Sequence, residues 1–273
     1  MATPRRAAVL GKPIAHSLSP VIHNAGYAAA GLAGWSYDRI ECAESELPGL
    51  VAGLGPEWAG LSVTMPGKEA ALAVADAASA VARAVGAANT LVRRPDGSWY
   101  ADNTDVTGMV EVLGRAGVRP GAVVTVLGAG GTARAALAAA ARLDARSVTV
   151  VARRAAAVDE LRPVAGAVGV PVAGAAWADA APHLGADVVV STVPKGVADP
   201  LAAEGAFRPG TVVFDALYDP WPTPLAAAAT AAGCRIVSGL DLLLAQAVGQ
   251  FEQFTGVPAP REAMAAALVA ARA

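Results

Sequence analysis

A strand, a glycine turn and a helix follow one another without a break between Ala122 and Leu143, and this run constrains the chain more than any other. Ala122-Val123-Val124-Thr125-Val126-Leu127 is a short apolar, β-branched stretch of the kind that forms a buried parallel strand. Gly128-Ala129-Gly130-Gly131 interrupts it, and Thr132 to Leu143 then has the alanine-rich pattern of a tightly packed helix. The spacing is G-x-G-x-x-A, with the small Ala133 at the third position. Gly128 permits a tight turn, and Gly130 lets the backbone approach a pyrophosphate. The new helix offers unpaired N–H groups and a positive dipole end to that anion. A bare match to this spacing says little. Strand before and helix after make Gly128, Ala129, Gly130, Gly131, Thr132 and Ala133 a candidate dinucleotide site.

The end of the next strand bears on which dinucleotide. Ser147–Val151 reads as that strand, and about twenty residues past the glycines an NAD site places a carboxylate for the ribose hydroxyls. This chain has Ala152-Arg153-Arg154 instead. Guanidinium groups suit the 2′-phosphate of NADP, which they grip through charge-assisted hydrogen bonds. NADP is therefore the expected cofactor.

At 273 residues the chain is long enough for two domains. The net charge is −2, with Lys and Arg scattered, which argues against nucleic acid or an anionic membrane surface as partner. No apolar run reaches the roughly twenty residues of a transmembrane helix. The start, Met1-Ala2-Thr3-Pro4-Arg5-Arg6, is basic, but the apolar run after it is too short for a signal peptide. Cys42 and Cys234 are isolated, and His16, His23 and His183 fit neither metal-ligand nor triad spacing, so no metal is expected. A cytoplasmic protein acting on a small molecule, as monomer or homodimer, fits these features.

Along the chain, strands alternate with helices. Ala7–Leu10 is the first strand, and Gly11 to Pro20 the loop after it. Ser19 precedes Pro20, which suits the first position of a helix running to about Ala30. Ser17 and Ser19 thus lie where an anion is well received, and Ser19 reads equally as helix cap and as ligand. Strands follow at Trp35–Cys42 and Gly60–Thr64, with a helix at Glu44–Leu54 between them. Lys68 opens a helix through about Asp76, and a cation in the first turn opposes the dipole. A broken local rule of this kind points to function. Ala87–Arg93 and Trp99–Ala101 read as a hairpin about the Pro95–Ser98 turn, and Asp102-Asn103-Thr104-Asp105 leads into a helix over Val106–Ala116. Beyond the dinucleotide unit come a helix near Val158–Val164 and strands at Pro171–Ala175, Ala186–Thr192, Thr211–Asp215 and Arg235–Gly239. Helices at Leu240–Phe254 and Pro260–Ala271 close the chain, and with no further strand to cover they are expected to return to the first domain.

The pattern predicts an α/β protein with parallel sheets. Its parts are an α/β substrate domain over residues 1–105, completed by 240–273, and a Rossmann-type doubly wound domain over 106–239. The site is expected between them, at C-terminal strand ends, where Ser17, Ser19, Thr64, Lys68, Asn89, Asp105 and the glycine loop would gather.

Taken together, these residues resemble the shikimate dehydrogenase family over nearly the whole chain. The motifs that carry the resemblance are Gly11 to Pro20, Ser62-Val63-Thr64-Met65-Pro66-Gly67-Lys68, Ala88-Asn89-Thr90, Asp102 to Asp105, Gly128 to Arg134, and Gly239-Leu240 with Gln246. Six in order are highly specific. The resemblance implies reversible NADP(H)-dependent interconversion of shikimate and 3-dehydroshikimate on the route to aromatic amino acids. It further implies that Ser17 and Ser19 bind the substrate carboxylate, that Thr64, Asn89, Asp105 and Gln246 hold its hydroxyls, and that Lys68 and Asp105 form the catalytic pair. Tyr218 joins the substrate set, and Ala152, Arg153, Arg154, Thr192, Ala216 and Gly239 join the cofactor set. Three positions depart from the family: Ser62 stands where Asn is common, Ala152-Arg153-Arg154 where Asn-Arg-Thr is typical, and Asp241 where many members have Gly. Ser62 is accordingly a weak candidate ligand, and Asp241 has no account from sequence. The rival readings are weaker. A quinate/shikimate dehydrogenase using NAD wants a carboxylate after the second strand, and a non-catalytic NADP-binding regulator would have no need of the Lys68–Asp105 pair. A folate-linked dehydrogenase of similar build would have no use for the serine loop.

Overall fold

The computed structural model describes residues 4–272, so Met1, Ala2 and Thr3 of the basic start lie outside the described residues. The chain divides into two compact units, Met1–Thr104 with Leu243–Ala273, and Asp105–Leu242.

The first unit is built from β1 (Arg5–Gly11), α1 (Ser19–Ala29), β2 (Trp35–Glu41), α2 (Leu47–Ala52), β3 (Trp58–Val63), α3 (Lys68–Val74), β4 (Ala77–Ala78), α4 (Ala80–Val85), β5 (Thr90–Arg93) and β6 (Trp99–Asp102). The strands form one sheet in the order β2-β1-β3-β5-β6-β4. β1 runs parallel to β2 and β3, with Leu10 opposite Ile40 and Val63. β5 runs antiparallel to both β3 and β6, so this sheet is mixed rather than parallel. For β5 and β6 the reason is their short connection, which allows a hairpin but no crossover helix. Leu10, Leu61, Leu91 and Ala101 on these strands are fully buried in the core. The short β4 and α4 did not emerge from periodicity. Their local signals are nonetheless present: the Ser79 hydroxyl accepts the Ala82 N–H at 3.0 Å, and Gly86 ends α4 in the left-handed region.

The second unit opens with α5 (Thr104–Arg115), one residue of which belongs to the first. It continues through β7 (Val123–Leu127), α6 (Gly131–Arg142), β8 (Ser147–Ala152), α7 (Ala155–Asp159), α8 (Arg162–Val168), β9 (Val172–Ala176), β10 (Val188–Ser191), α9 (Leu201–Glu204), β11 (Val212–Asp215), α10 (Pro224–Ala231) and β12 (Arg235–Ser238). Every pairing in this sheet is parallel, in the order β12-β11-β10-β7-β8-β9. Counted from its own first strand that is 3-2-1-4-5-6 read from one edge, the doubly wound arrangement that binds dinucleotides where the order reverses, beside β7. The single helix expected near Val158–Val164 is two, because Pro163 is confined to the first turn of a helix and forces a restart at Arg162.

α11 (Gly239–Thr255) begins in the second unit, and from Leu243 onward it belongs with α12 (Arg261–Ala270) to the first. Gly26 of α1 packs against Phe251 and Met264, and the Gln253 amide donates to the Asp102 carboxylate at 2.8 Å. The expected return of the C-terminal helices follows from this burial of their apolar and amide faces.

Candidate active site

In the first unit, the serine loop joins β1 to α1. The expected cap at Ser19 is corrected: Leu18 occupies the N-cap without a side-chain bond, and Ser19 is already helical. The helix begins one residue earlier than Pro20 suggests, and the Ser17 hydroxyl in the loop accepts the Ser19 N–H at 3.3 Å. The Arg39 guanidinium on β2 donates to the Ser17 carbonyl through Nε and Nη2, at 2.8 and 2.5 Å, and pins the loop. Ser19 is buried, while Ser17 is half-buried.

Thr64 follows β3, its N–H bound to the Leu10 carbonyl at 2.8 Å. Lys68 is the first residue of α3 and half-buried, with the side-chain-free Gly67 at the N-cap. Its carbonyl accepts the Ala88 N–H at 2.8 Å, which brings Asn89 alongside. Asn89 is the hub of this unit's polar core. Its Oδ1 accepts from the Thr90 hydroxyl and the Thr104 N–H, each at 2.8 Å, and its Nδ2 donates to Thr104 Oγ1 at 3.0 Å and Gln246 Oε1 at 3.5 Å. The Gln246 amide in turn donates to the Leu243 carbonyl at 2.8 Å. Asp105 comes directly after Thr104, buried in the first turn of α5. The helix starts two residues ahead of the expected Val106, so this carboxylate sits where the dipole favours an anion.

In the second unit, Gly128 has φ +102°, and a Cβ there would lie 2.7 Å from Thr192 Oγ1 and 3.0 Å from Val193. Conformation and crowding both demand glycine. The Thr192 hydroxyl and N–H each donate to the Leu127 carbonyl at 2.9 Å, so Thr192 ties β10 to β7 and shapes the turn. Gly130 caps α6 without a side chain, and a Cβ on it would meet open space. The helical ladder begins with the Arg134 N–H on the Gly130 carbonyl at 3.1 Å, leaving the N–H groups of Gly131, Thr132 and Ala133 without intrahelical acceptors. Ala133 is fully buried against the sheet. An anion of pyrophosphate type fits this cradle.

Ala152 ends β8 buried, and Arg153 and Arg154 follow it exposed, neither with a side-chain hydrogen bond or ion pair among the described residues. Arg153 lines a groove of about 390 Å³ together with Ala152, Val158, Arg162 and Ala176. Two unpartnered guanidiniums at the end of the second strand fit a ribose phosphate. Beyond β11, the buried Asp215 accepts the Leu217 N–H at 3.2 Å and the Thr223 hydroxyl at 2.7 Å, holding the loop of Ala216 and the half-buried Tyr218. Burial is the main cause that pushes the Asp215 pKa up, and the Thr223 bond opposes it. Gly239 lies so close to that loop that a Cβ would overlap the Ala216 carbonyl. Asp241 also gains an account: its Oδ2 accepts the Ser238 N–H and hydroxyl, each at 2.7 Å, closing the N-terminus of α11.

Sequence reasoning missed Tyr37 and Gln250, which are buried and hydrogen-bonded to Ser62. The only sequence signal was the i, i+4 spacing of Gln246 and Gln250 on one face of α11. Among the described residues no group of three or more His, Cys, Asp or Glu is placed to hold a metal ion. Nor is any helix of the described residues long and apolar enough to cross a membrane.

A parallel doubly wound unit with an anion cradle, and a mixed-sheet unit with a lysine and a buried amide hub, define a two-unit α/β oxidoreductase. Residues 9–91 match the shikimate dehydrogenase substrate binding domain, and residues 239–269 match the shikimate 5'-dehydrogenase C-terminal domain. Over 271 residues the chain is 42% identical to shikimate dehydrogenase (NADP(+)) of Methylobacterium radiotolerans, covering 96% of this chain and 94% of the relative. The crystal structure of Mycobacterium tuberculosis shikimate dehydrogenase is similar with a TM-score of 0.89 at 53% identity, over 98% of this chain and 100% of that one. Shikimate 5-dehydrogenase of Thermus thermophilus, solved with NADP(H) and shikimate, has a TM-score of 0.85 at 30% identity, over 98% and 99% of the two chains. The chain belongs to the shikimate dehydrogenase family.

Proposed function

We propose that this enzyme catalyses the reversible NADP-dependent reduction of 3-dehydroshikimate to shikimate, a step in the supply of aromatic amino acids. The observation that carries the reading is the pairing, in one chain, of the half-buried Lys68 beside the Asn89 hub with two unpartnered arginines after β8. It is supported by the family membership and by the relative solved with NADP(H) and shikimate.

In this reading Ser17 and Ser19 receive the substrate carboxylate, and Thr64, Asn89, Asp105, Gln246 and Tyr218 bind its hydroxyls. Gly128, Ala129, Gly130, Gly131, Thr132 and Ala133 form the pyrophosphate cradle. Ala152, Arg153 and Arg154 flank the adenosine phosphate, and Thr192, Ala216 and Gly239 shape the remainder of the cofactor site. When bound, NADP⁺ accepts the hydride that leaves the alcohol carbon. Lys68 removes the hydroxyl proton in that direction and returns it to the developing alkoxide in the other, with Asp105 as its carboxylate partner. The buried network around Asn89 keeps the hydroxyl-binding groups in fixed rotamers, so little ordering is needed when substrate arrives. We place the enzyme in the cytoplasm, a placement with which two free cysteines agree, and propose that it works as a monomer or homodimer.

The test is the initial rate of shikimate oxidation with NADP and with NAD, followed at the absorbance of the reduced nicotinamide. High activity with NADP and little with NAD is the expected result. Folded protein that binds NADP but oxidises no shikimate would overturn the reading.

A further inference from the structure

Gln250 has no step in the proposed chemistry, yet it sets the order of the polar groups around the substrate residues. We propose that Gln250 is a positioning residue of the substrate site, fixing Asn89 directly and the Tyr37 phenol through Ser62. The proposal rests on the activity proposed above and deepens it.

The Gln250 Nε2 donates to the Asn89 carbonyl and to Thr90 Oγ1, each at 3.0 Å. A carbonyl can only accept, so the amide of Gln250 has one orientation, with its oxygen turned toward Ser62. Ser62 must then donate its proton to Gln250 Oε1, at 2.6 Å. Its oxygen accepts from the Tyr37 phenol at 2.5 Å. On the other side, Thr90 accepts from Gln250 and donates to Asn89 Oδ1 at 2.8 Å. The Thr104 N–H, which can only donate, bonds the same oxygen at 2.8 Å, so the Asn89 amide is held with its Nδ2 turned to Thr104 and Gln246.

The proton order from Tyr37 through Ser62 to Gln250 thus follows from one acceptor, the Asn89 carbonyl, while Gln250 and the Thr104 N–H together hold Asn89. Tyr37, Ser62 and Gln250 are at most 4% exposed, so water cannot substitute for a missing link. His23 stacks on Tyr37 with ring centroids 4.1 Å apart and 7° between planes, which holds the phenol in place. Ser62 therefore reads as a link, its single proton directed to Gln250 and one lone pair taken by Tyr37. The departure from Asn at this position is matched by an amide supplied from α11.

Gln250→Met keeps the bulk and removes all three bonds. In full-length enzyme it should raise the KM for shikimate by roughly tenfold, the scale of one net hydrogen bond. The same variant should leave kcat within about threefold and the KM for NADP unchanged, because binding rather than proton transfer is perturbed. Tyr37→Phe deletes one hydroxyl and should raise the shikimate KM by roughly threefold. If Gln250→Met fails to fold, Tyr37→Phe decides by the same readouts. A wild-type shikimate KM in the folded variant overturns the proposal. So does an equal loss for shikimate and NADP, which would mean general loosening. Wild-type enzyme that does not oxidise shikimate overturns the activity itself, and that control separates the two failures.

Discussion

Replacing Arg153 and Arg154 together by Ala should change the choice of cofactor without touching the fold. Both side chains are exposed, and neither makes a hydrogen bond or ion pair among the described residues. Their removal should therefore shift stability by no more than about 0.5 kcal/mol. Binding is another matter. A charge-assisted bond to phosphate is worth roughly 1.5–3 kcal/mol, and solvent screening at exposed positions favours the lower end. Two such bonds give about 3 kcal/mol, or a factor of about a hundred in affinity. NAD lacks the 2′-phosphate, so its binding should be nearly unchanged. The assay compares kcat/KM for NADP and for NAD at saturating shikimate in wild type and in the double variant. The expected outcome is a fall of about a hundredfold for NADP, with NAD altered less than threefold. A parallel fall for both cofactors would refute the reasoning, because it would place the arginines on a part of the dinucleotide that the two share. An unchanged NADP value would make them solvated surface charges.

Lys68→Ala should lower kcat by about 10²–10⁴ while the shikimate KM changes little, and undiminished turnover would remove Lys68 from the mechanism. Asp241→Ala removes two bonds of 2.7 Å at the start of α11 and should cost about 1 kcal/mol, read as a melting temperature lower by about 2–4 °C. An unshifted melt would mean that the cap adds nothing over solvation. His23 is fully buried, and burial pushes its pKa down to about 3, opposed by neighbouring Gln250; neither ring nitrogen has a hydrogen bond of full geometry. Its folded pKa lies below the unfolded value of about 6.5, so stability is fully present above pH 6.5 and is lost as pH falls toward 3. By pH 5 the loss should be about 2 kcal/mol. His23→Phe keeps the stack on Tyr37 and should flatten the melting temperature between pH 6.5 and 4; an unaltered acid slope would assign the loss to other groups.

Most of what can be read along the chain is local. The strand from Val123, the glycine turn and α6 are legible because strand period, glycine conformation and helix propensity act over a few residues. The missing carboxylate at Arg153 is legible for the same reason, since the position is counted along the chain from the glycines. Lys68 stood out by breaking a rule of its own helix. Where side chains from distant segments meet, the sequence was silent. The hydrogen bond from Ser62 to Gln250 spans 188 positions, and no periodicity relates a strand residue to a helix residue that far away. The assembled fold likewise sets β5 antiparallel to β3, places Ser19 inside α1 rather than at its cap, and closes α11 with Asp241. Each of these turns on which donor finds which acceptor once water is excluded, and burial, unlike propensity, is a property of the assembled fold.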